Sequence, residues 1–138
     1  MSEPVHALFV YGTLMRGGSR QRLWPRRPQR IERAQVRGVL YDLGPYPAMV
    51  EGDGQVGGEL WEFAAADMAA TLDRLDHIEG YVPGDPDSLY ARRIIRCQTE
   101  SRAAALAFCY FFAKPRALAE AQRVPPGSDG VARWDPSG

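Results

Sequence analysis

The 138-residue sequence has few cysteines, a single lysine, no net charge and no long apolar run. Its two cysteines, Cys97 and Cys109, are too few for a secreted disulfide framework or a structural zinc site. Seventeen basic residues balance seventeen acidic ones, which argues against nucleic-acid binding driven by phosphate neutralisation. The longest apolar run, Ala103 to Ala113, has eleven residues, whereas a membrane helix needs about 18 or more.

The start of the chain also lacks a basic segment ahead of its first apolar stretch, so we expect no signal peptide and a cytoplasmic protein. The length predicts one domain with an ordinary core. We expect residues 1–114 to form this domain. Residues 115–138, with four prolines and three glycines, are expected to be an irregular C-terminal tail that belongs to it.

The remaining sequence is rich in short apolar segments that predict strands. These segments are His6–Tyr11, Gln35–Leu43, Gln55–Phe63, Leu89–Thr99 and Arg102–Ala113. Gly38 inside the second segment predicts a bulge or a close backbone approach, and Gly44–Pro47 predicts a turn. The last two segments are separated by a short polar turn, which is typical of a hairpin.

One clear helix is predicted over Asp67–Ile78 and ends at Gly80. Its apolar residues recur at spacings of four and three, and they are Met68, Leu72, Leu75 and Ile78. The opposite, solvent-facing side is marked by Asp67, Asp73, Arg74 and Asp76. Five strands and one helix without regular alternation favour an α+β fold, a small mixed or antiparallel β-barrel with one main packed helix.

The loop after the first strand contains Gly12, Gly17, Gly18 and Ser19 and has the outline of a phosphate-binding P-loop. Gly18 stands where that motif requires lysine, which argues against nucleotide hydrolysis. Gly12 still permits a sharp turn that leaves N–H groups free to bind an anion or a polarised carbonyl. The alternative is a plain turn that uses glycine for a positive φ.

Glu79 lies at the predicted end of the helix, where the helix dipole disfavours a carboxylate. If this side chain is screened from water, its pKa is raised toward neutrality, which suits proton transfer. The alternative is an exposed glutamate in a charged helix end.

Three further groups have both a functional and a structural interpretation. Asp73 and His77 are spaced to chelate a metal, but a surface pair explains them equally and no third ligand is indicated. Cys97 and Cys109 are interpreted as small apolar residues rather than nucleophiles. Eight arginines between Arg16 and Arg37 form a basic segment, interpreted as a solvated loop or, less simply, a site for an acidic substrate. Tyr110 shares strand parity with Phe108 and Phe112, so we expect a buried ring whose hydroxyl has a partner. Such a tyrosine is either a core residue or the polar end of a pocket.

Several motifs together resemble the γ-glutamylcyclotransferase-like (AIG2-like) proteins, including their short bacterial members. These motifs are FVYGTLMRG, LYDLGPYPAMV, GELWEF, LDHIEGY and the Tyr90-Ala91-Arg92 triplet. The resemblance covers roughly His6 to Ala113, and the order and spacing of the motifs carry it.

The resemblance implies a six-stranded mixed barrel with a pocket for a γ-glutamyl group. It implies that Glu79 is the catalytic acid and base. It also implies that the loop of Tyr11, Gly12, Thr13 and Leu14 holds the substrate's glutamyl carboxylate and carbonyl through backbone N–H groups. Tyr110 matches the tyrosine that lines the pocket, and Tyr90 is a weaker match.

The implied reaction is intramolecular: the substrate's α-amine attacks its γ-amide carbonyl and 5-oxoproline is formed. No metal or organic cofactor is implied, and the implied partner is a small γ-glutamyl molecule whose leaving group the sequence leaves open, bound by a monomer or a homodimer. Two other functions stay open, a non-catalytic binding or regulatory domain of the same fold and nucleic-acid binding through the arginine-rich segment.

Overall fold

The computed structural model describes residues 4–102, 104–119 and 121–135. The strands in this part of the chain are β1 (Ala7–Val10), β2 (Arg30–Asp42), β3 (Pro47–Glu62), β4 (Tyr90–Thr99), β5 (Ala105–Phe112), β6 (Gln122–Arg123) and β7 (Val131–Ala132). The α-helix is α1 (Met68–Glu79), and 3₁₀ turns occur at Gln21–Leu23, Ala65–Asp67 and Pro115–Leu118. Within these described ranges, no helix is long and apolar enough to cross a membrane.

Five strands close into a mixed barrel in the order β2-β4-β5-β1-β3, and β3 pairs again with β2. The β1–β5 contact is parallel, whereas the other four contacts of the barrel are antiparallel. The predicted fold class is therefore confirmed. The barrel closes with five strands rather than six, because β6 and β7 are two-residue additions to the edges of β2 and β3.

The two longest strands extend beyond their predicted bounds. β2 begins at Arg30, inside the segment predicted as loop, and β3 begins at Pro47 and runs for 16 residues. Residues 51–54, Glu-Gly-Asp-Gly, have the composition of a turn but continue β3. The predicted irregularity at Gly38 is confirmed, since the β2–β3 register shifts between Arg37 and Val39.

Alternation along the strands creates two apolar layers. One layer draws residues from all five barrel strands, including Phe9, Leu40 and Met49, and therefore fills the barrel interior. The other includes Leu8 and Val10 from the opposite face of β1 together with Leu75 of α1, so it joins the barrel wall to the helix. Each of the largest side chains in these layers is almost fully withdrawn from water.

The chain after Lys114 contains short pieces of regular structure that its composition does not predict. The 3₁₀ turn at Pro115–Leu118 buries Leu118, and Trp134 packs into the layer inside the barrel. The predicted strand Arg102–Ala113 begins at Ala105; Ala103 lies outside the described residues, as do 120 and 136–138 of the predicted tail.

Candidate active site

A cavity of about 300 Å³ opens at one end of the barrel, beside the C-terminal end of α1. It is lined by Phe9 and Val10 of β1 and by the loop at residues 11–14. Ile78, Glu79 and Gly80, at the end of α1, line it as well. All six predicted substrate-binding residues and the predicted catalytic residue line this one cavity, and they are Tyr11, Gly12, Thr13, Leu14, Tyr90, Tyr110 and Glu79.

Glu79 is placed in the cavity by the way its helix ends. Gly80 adopts a left-handed conformation with φ of 68°, which glycine takes without strain. The N–H of Gly80 donates to the His77 carbonyl at 3.2 Å, and that of Tyr81 donates to the Asp76 carbonyl at 2.8 Å. These bonds satisfy the final carbonyls of α1, so the chain turns away and leaves the Glu79 side chain at the cavity wall.

The environment of Glu79 favours its protonated form. Burial raises the pKa of this carboxyl from 4.5 to about 7, and the Arg20 guanidinium partly opposes the rise. Among the described residues, none donates a hydrogen bond or forms an ion pair with the Glu79 carboxylate. A carboxyl that is partly buried, unpaired and half-protonated near neutrality is suited to accept and return a proton.

The loop after β1, residues 11–14, is held close to the start of β3. A Cβ atom at Gly12 would lie only 2.7 Å from Pro47 Cγ, so this position excludes a larger side chain. The φ of Gly12 is not positive, so the glycine serves a close approach rather than a left-handed turn. The structure gives no partner, in the ranges it describes, to the N–H groups of Gly12, Thr13 and Leu14, which leaves them free to bind an oxyanion.

The buried side chain of Tyr11 anchors this loop to β5. Its hydroxyl donates to the Tyr110 carbonyl at 2.6 Å, and burial raises the pKa of Tyr11 well above 10. The Thr13 carbonyl accepts a hydrogen bond from the Arg20 N–H at 2.8 Å. These contacts tie both ends of the loop to the barrel and to the segment that follows.

Tyr110 and Tyr90 line the cavity with their rings while their hydroxyls bond to protein atoms. Tyr110 donates to Asp76 Oδ1 at 2.5 Å, and Tyr90 donates to the Pro47 carbonyl at 2.9 Å. The expectation of a buried Tyr110 with a hydroxyl partner is confirmed, although the ring lies in the layer under α1 rather than inside the barrel. Burial raises the pKa of both phenols above the ordinary value.

Asp76 differs from its predicted place on the solvent-facing side of the helix. Its carboxylate is partly buried and accepts two hydrogen bonds from Arg92 Nη1, at 2.9 and 2.7 Å, besides that of Tyr110. Arg92 and Tyr110 are cross-strand partners on β4 and β5, so this cluster attaches the last turn of α1 to the barrel. Asp76 falls four residues after Leu72 and three before Glu79, and this shared helix face is the pattern that could have predicted it.

Arg20 is a cationic residue of the cavity that the sequence did not single out. It was one of eight arginines in a basic segment, and nothing in the spacing distinguishes it. Four other arginines of this segment pair with carboxylates on the barrel or ahead of α1, and they are Arg16, Arg26, Arg30 and Arg37. Arg20 instead lines the cavity that contains Glu79.

The other candidate groups are not brought together. Asp73 and His77 are both exposed, and no group of three or more metal-binding side chains occurs in the described part of the chain. Cys97 and Cys109 are buried free thiols; burial raises the pKa of Cys97 to about 11 and that of Cys109 well above 9. Such thiols remain protonated at neutral pH and act as apolar residues.

The segment at residues 81–89 lies between α1 and β4 and has no regular secondary structure. Ser88 links the two ends of this segment, because its Oγ accepts a hydrogen bond from the Val82 N–H at 3.0 Å and donates one to the Val82 carbonyl at 3.3 Å. Val82 and Leu89 are large apolar side chains that remain exposed here, and Leu89 also lines the cavity.

Comparison with known proteins gives a consistent family assignment. Residues 8–134 match the family model described as "Gamma-glutamyl cyclotransferase, AIG2-like". A relative from Niallia circulans, the gamma-L-glutamyl-butirosin B gamma-glutamyl cyclotransferase, is 34% identical over 108 residues, which cover 76% of this chain and 65% of the relative. A second relative, from Vibrio cholerae serotype O1, is 40% identical over 81 residues, or 53% of this chain and 64% of that protein.

The chain thus spans slightly less than two thirds of the length of these curated relatives. Among solved structures, an AIG2-like protein from Mus musculus superposes with a TM-score of 0.64 at 22% identity. That match covers 96% of this chain and 97% of the mouse protein, and it supports the same barrel fold.

Proposed function

The chain belongs to the gamma-glutamyl cyclotransferase, AIG2-like family, and from this membership we propose that it releases 5-oxoproline from a γ-glutamyl amide, amine or peptide. The observation that carries the proposal is the unpaired Glu79 carboxyl, whose pKa of about 7 places its titration at neutral pH. In this proposal the substrate carbonyl is bound by the N–H groups of Gly12, Thr13 and Leu14, because these residues line the same cavity and their N–H groups have no partner in the described ranges.

The reaction begins with transfer of a proton from the substrate's α-ammonium group to the Glu79 carboxylate. The freed amine attacks the γ-carbonyl carbon, a C–N bond forms, and the carbonyl electron pair moves to oxygen. Backbone N–H groups of Gly12, Thr13 and Leu14 donate to this oxyanion. The intermediate then collapses: the bond to the leaving nitrogen breaks as Glu79 gives its proton to the departing amine. The regenerated Glu79 carboxylate takes the second proton from the ring nitrogen, which leaves the ring amide of 5-oxoproline neutral, and loses that proton to solvent.

The proposed chemistry makes modest demands on the protein. The nucleophile is already part of the substrate, so closure of the five-membered ring is intramolecular and orientation supplies much of the rate. One acid and base and one oxyanion site complete it, and none of these steps calls for a metal or an organic cofactor. The acid and base is provided by α1 and the oxyanion site by the loop after β1.

Replacing Glu79 by glutamine tests the proposal directly. We expect Glu79→Gln to reduce kcat about 10³-fold, because positioned proton transfer typically contributes 10²–10⁴-fold. The measurement is 5-oxoproline release from a panel of γ-glutamyl amides and peptides, including γ-L-glutamyl-butirosin B, for which the Niallia circulans relative is named. Asp73→Asn, an exposed position on the same helix, is the matched control and should keep full activity.

Full turnover by correctly folded Glu79→Gln would exclude the proposed role of this residue. Ligand-induced stabilisation without any product, equal in wild type and Glu79→Gln, would instead indicate a binding or regulatory domain of the same fold.

A further inference from the structure

Arg20 brings an unpaired positive charge into the cavity. Its side chain lines the same space as Glu79 and is partly exposed. Within the described ranges its guanidinium forms no hydrogen bond and no ion pair, whereas Arg16 and Arg30 are paired with carboxylates. The N–H donors of the Arg20 guanidinium are therefore available to a ligand.

The residues that line the cavity differ in how far they are exposed. Those of β1 and of the loop after it are mostly buried. Arg20 and Tyr46 are partly exposed, and His77, Gly80 and Leu89 are exposed. We take these five residues as the mouth of the cavity, since solvent can enter only where the lining is exposed.

The backbone of Arg20 is fixed beside the loop at residues 11–14. Its N–H donates to the Thr13 carbonyl at 2.8 Å, and its own carbonyl accepts from the Leu23 N–H at 3.0 Å. The guanidinium also lies near enough to Glu79 for its charge to lower the pKa of that carboxyl. Arg20 thus combines a fixed backbone with a free cationic group close to the proposed acid and base.

The proposed reaction leaves the charge of Arg20 without a role. The glutamyl part of the substrate binds at the loop at residues 11–14 through backbone N–H groups, and its α-amine meets Glu79. Glu79 must also reach the leaving nitrogen, because it gives that nitrogen a proton. The substituent on the leaving nitrogen departs as a separate product, so it must extend from Glu79 toward solvent through the mouth, where Arg20 lies.

We propose that the Arg20 guanidinium selects the leaving group by binding a carboxylate on the carbon next to the leaving nitrogen. This inference rests on the proposed function. A leaving amine that is an α-amino acid has such a carboxylate, whereas a simple alkylamine has none. A guanidinium binds a carboxylate through two parallel hydrogen bonds, and the attraction is stronger where water is partly excluded. Wild type should therefore prefer leaving amines that carry this carboxylate to neutral ones.

Two substrates that differ in one group test this selection. γ-Glutamylalanine and γ-glutamylalaninamide have nearly the same shape, but only the first carries a carboxylate beside the leaving nitrogen. The ratio of kcat/KM for the first substrate to that for the second should fall about 30-fold from wild type to Arg20→Gln, because hydrogen bonds to charged groups contribute about 10- to 150-fold. A changed pKa of Glu79 affects both substrates equally, and intrinsic leaving-group reactivity is the same for both proteins, so neither alters this comparison.

Two further variants show which property of Arg20 matters. Arg20→Lys keeps the charge but loses the planar fork, so its ratio should fall about 5-fold. Arg22→Gln is the matched control, because Arg22 lies in the 3₁₀ turn that follows Arg20, is exposed and donates to the Ser19 carbonyl. Its substrate ratio should equal that of wild type.

A second pair of probes separates binding from turnover. Glutarylalanine and glutarylalaninamide lack the α-amine, so neither can cyclise through it. In calorimetry, wild type should bind glutarylalanine about 30-fold more tightly than glutarylalaninamide, for the same reason as above. Arg20→Gln should bind the two with similar affinity.

Release of 5-oxoproline with the same substrate ratio in wild type and Arg20→Gln would overturn this inference and leave the proposed reaction in place. Glutarylalanine binding that depends on Arg20, in a protein that releases no 5-oxoproline, would support the anion site and overturn the proposed reaction. Absence of both product and binding would overturn both. If Arg20→Gln does not fold, the ratio in Arg20→Lys decides, and an unchanged ratio counts against the inference.

Discussion

At the scale of single residues, the sequence can indicate which side chain is a candidate for the site, but it does not show what surrounds that side chain in the fold. Glu79 could be singled out because a carboxylate at a helix end is unfavourable, and its placement in a cavity agrees with that reasoning. Asp76 and Arg20 could not be assigned in the same way. Asp76 is charged, which is typical of the solvent-facing side of a helix. Its partners Arg92 and Tyr110 come from strands that are distant in the sequence.

The pKa of Glu79 predicts a pH dependence of the proposed activity. Glu79 must be ionised to accept the first proton. Below the pKa of Glu79 the logarithm of kcat/KM should therefore rise with pH with a slope of one, and kcat/KM should reach half of its maximum near pH 7. Arg20→Gln removes the charge that lowers this pKa, so its midpoint should move to higher pH, whereas Arg20→Lys should keep the wild-type midpoint. Measurement of initial rates from pH 5 to 9 checks both.

The same pKa predicts an effect on stability that needs no substrate. Between about pH 4.5 and pH 7 the folded protein holds a proton on Glu79 that the unfolded chain releases. The free energy of unfolding of wild type should therefore fall, relative to Glu79→Gln, as the pH rises through this window. Urea titrations at pH 4.5, 6 and 8 measure the difference, and parallel curves for the two proteins would contradict the raised pKa.

At the scale of elements, local patterns predicted the strands and the helix but not all their bounds. The apolar periodicity of α1 and the alternation of β4 and β5 are local, and those elements lie close to their predicted positions. The extension of β3 through residues 51–54 depends on β2 beside it, so turn-like composition there is overridden by pairing. The parallel β1–β5 contact joins distant segments and leaves no local pattern.

Asp76 attaches the end of α1 to the barrel, and it is not itself a lining residue of the cavity. A substitution of Asp76 should therefore reduce the proposed activity although every residue that lines the cavity is kept. Asp76→Asn breaks the ion pair with Arg92, so the end of the helix is held less firmly. We expect kcat/KM to fall about 10- to 100-fold and the free energy of unfolding to fall by about 1–3 kcal/mol, the range for hydrogen bonds to charged groups.

The pH midpoint separates a positioning role from a purely structural one. In Asp76→Asn the midpoint of the kcat/KM profile should move, because Glu79 is no longer held in the same surroundings. Tyr110→Phe should give a smaller effect in the same direction, since it removes one of the hydrogen bonds to Asp76. Arg37→Gln, which removes a surface pair with Asp53, is the control. An Asp76→Asn enzyme with wild-type kcat/KM and midpoint would refute the positioning role.

At the scale of the whole molecule, the net charge of zero is the sum of a basic segment, Arg16 to Arg37, and an acidic one, Asp67 to Asp87. The basic segment from Arg16 to Arg37 lies beside acidic side chains on the barrel, and Arg26 pairs with Asp67 just before α1. The barrel is completed from both ends of the described chain, because β1 lies in its wall between β5 and β3 and Trp134 packs into its interior layer. We propose on this basis that residues 1–114 and 115–138 form one folded unit.

Removal of the Trp134 side chain should therefore destabilise the barrel as a whole. Trp134 is buried, and truncation of a buried tryptophan to alanine typically costs about 3–5 kcal/mol. Chemical unfolding of Trp134→Ala should show this loss in one cooperative transition. Arg133→Ala, the exposed neighbour that pairs with Asp129, should change stability by less than about 1 kcal/mol; a similarly small loss in Trp134→Ala would show that the segment folds independently.

The segment at residues 81–89 has a consequence for redesign of the cavity. Leu89 is its one residue that lines the cavity, and most of the segment is exposed and without regular structure, which is where insertions and substitutions are best tolerated. The loop at residues 11–14 is instead packed so closely that even a methyl group at Gly12 would meet Pro47. The cavity can therefore be reshaped through Leu89 and its neighbours while that loop keeps its geometry.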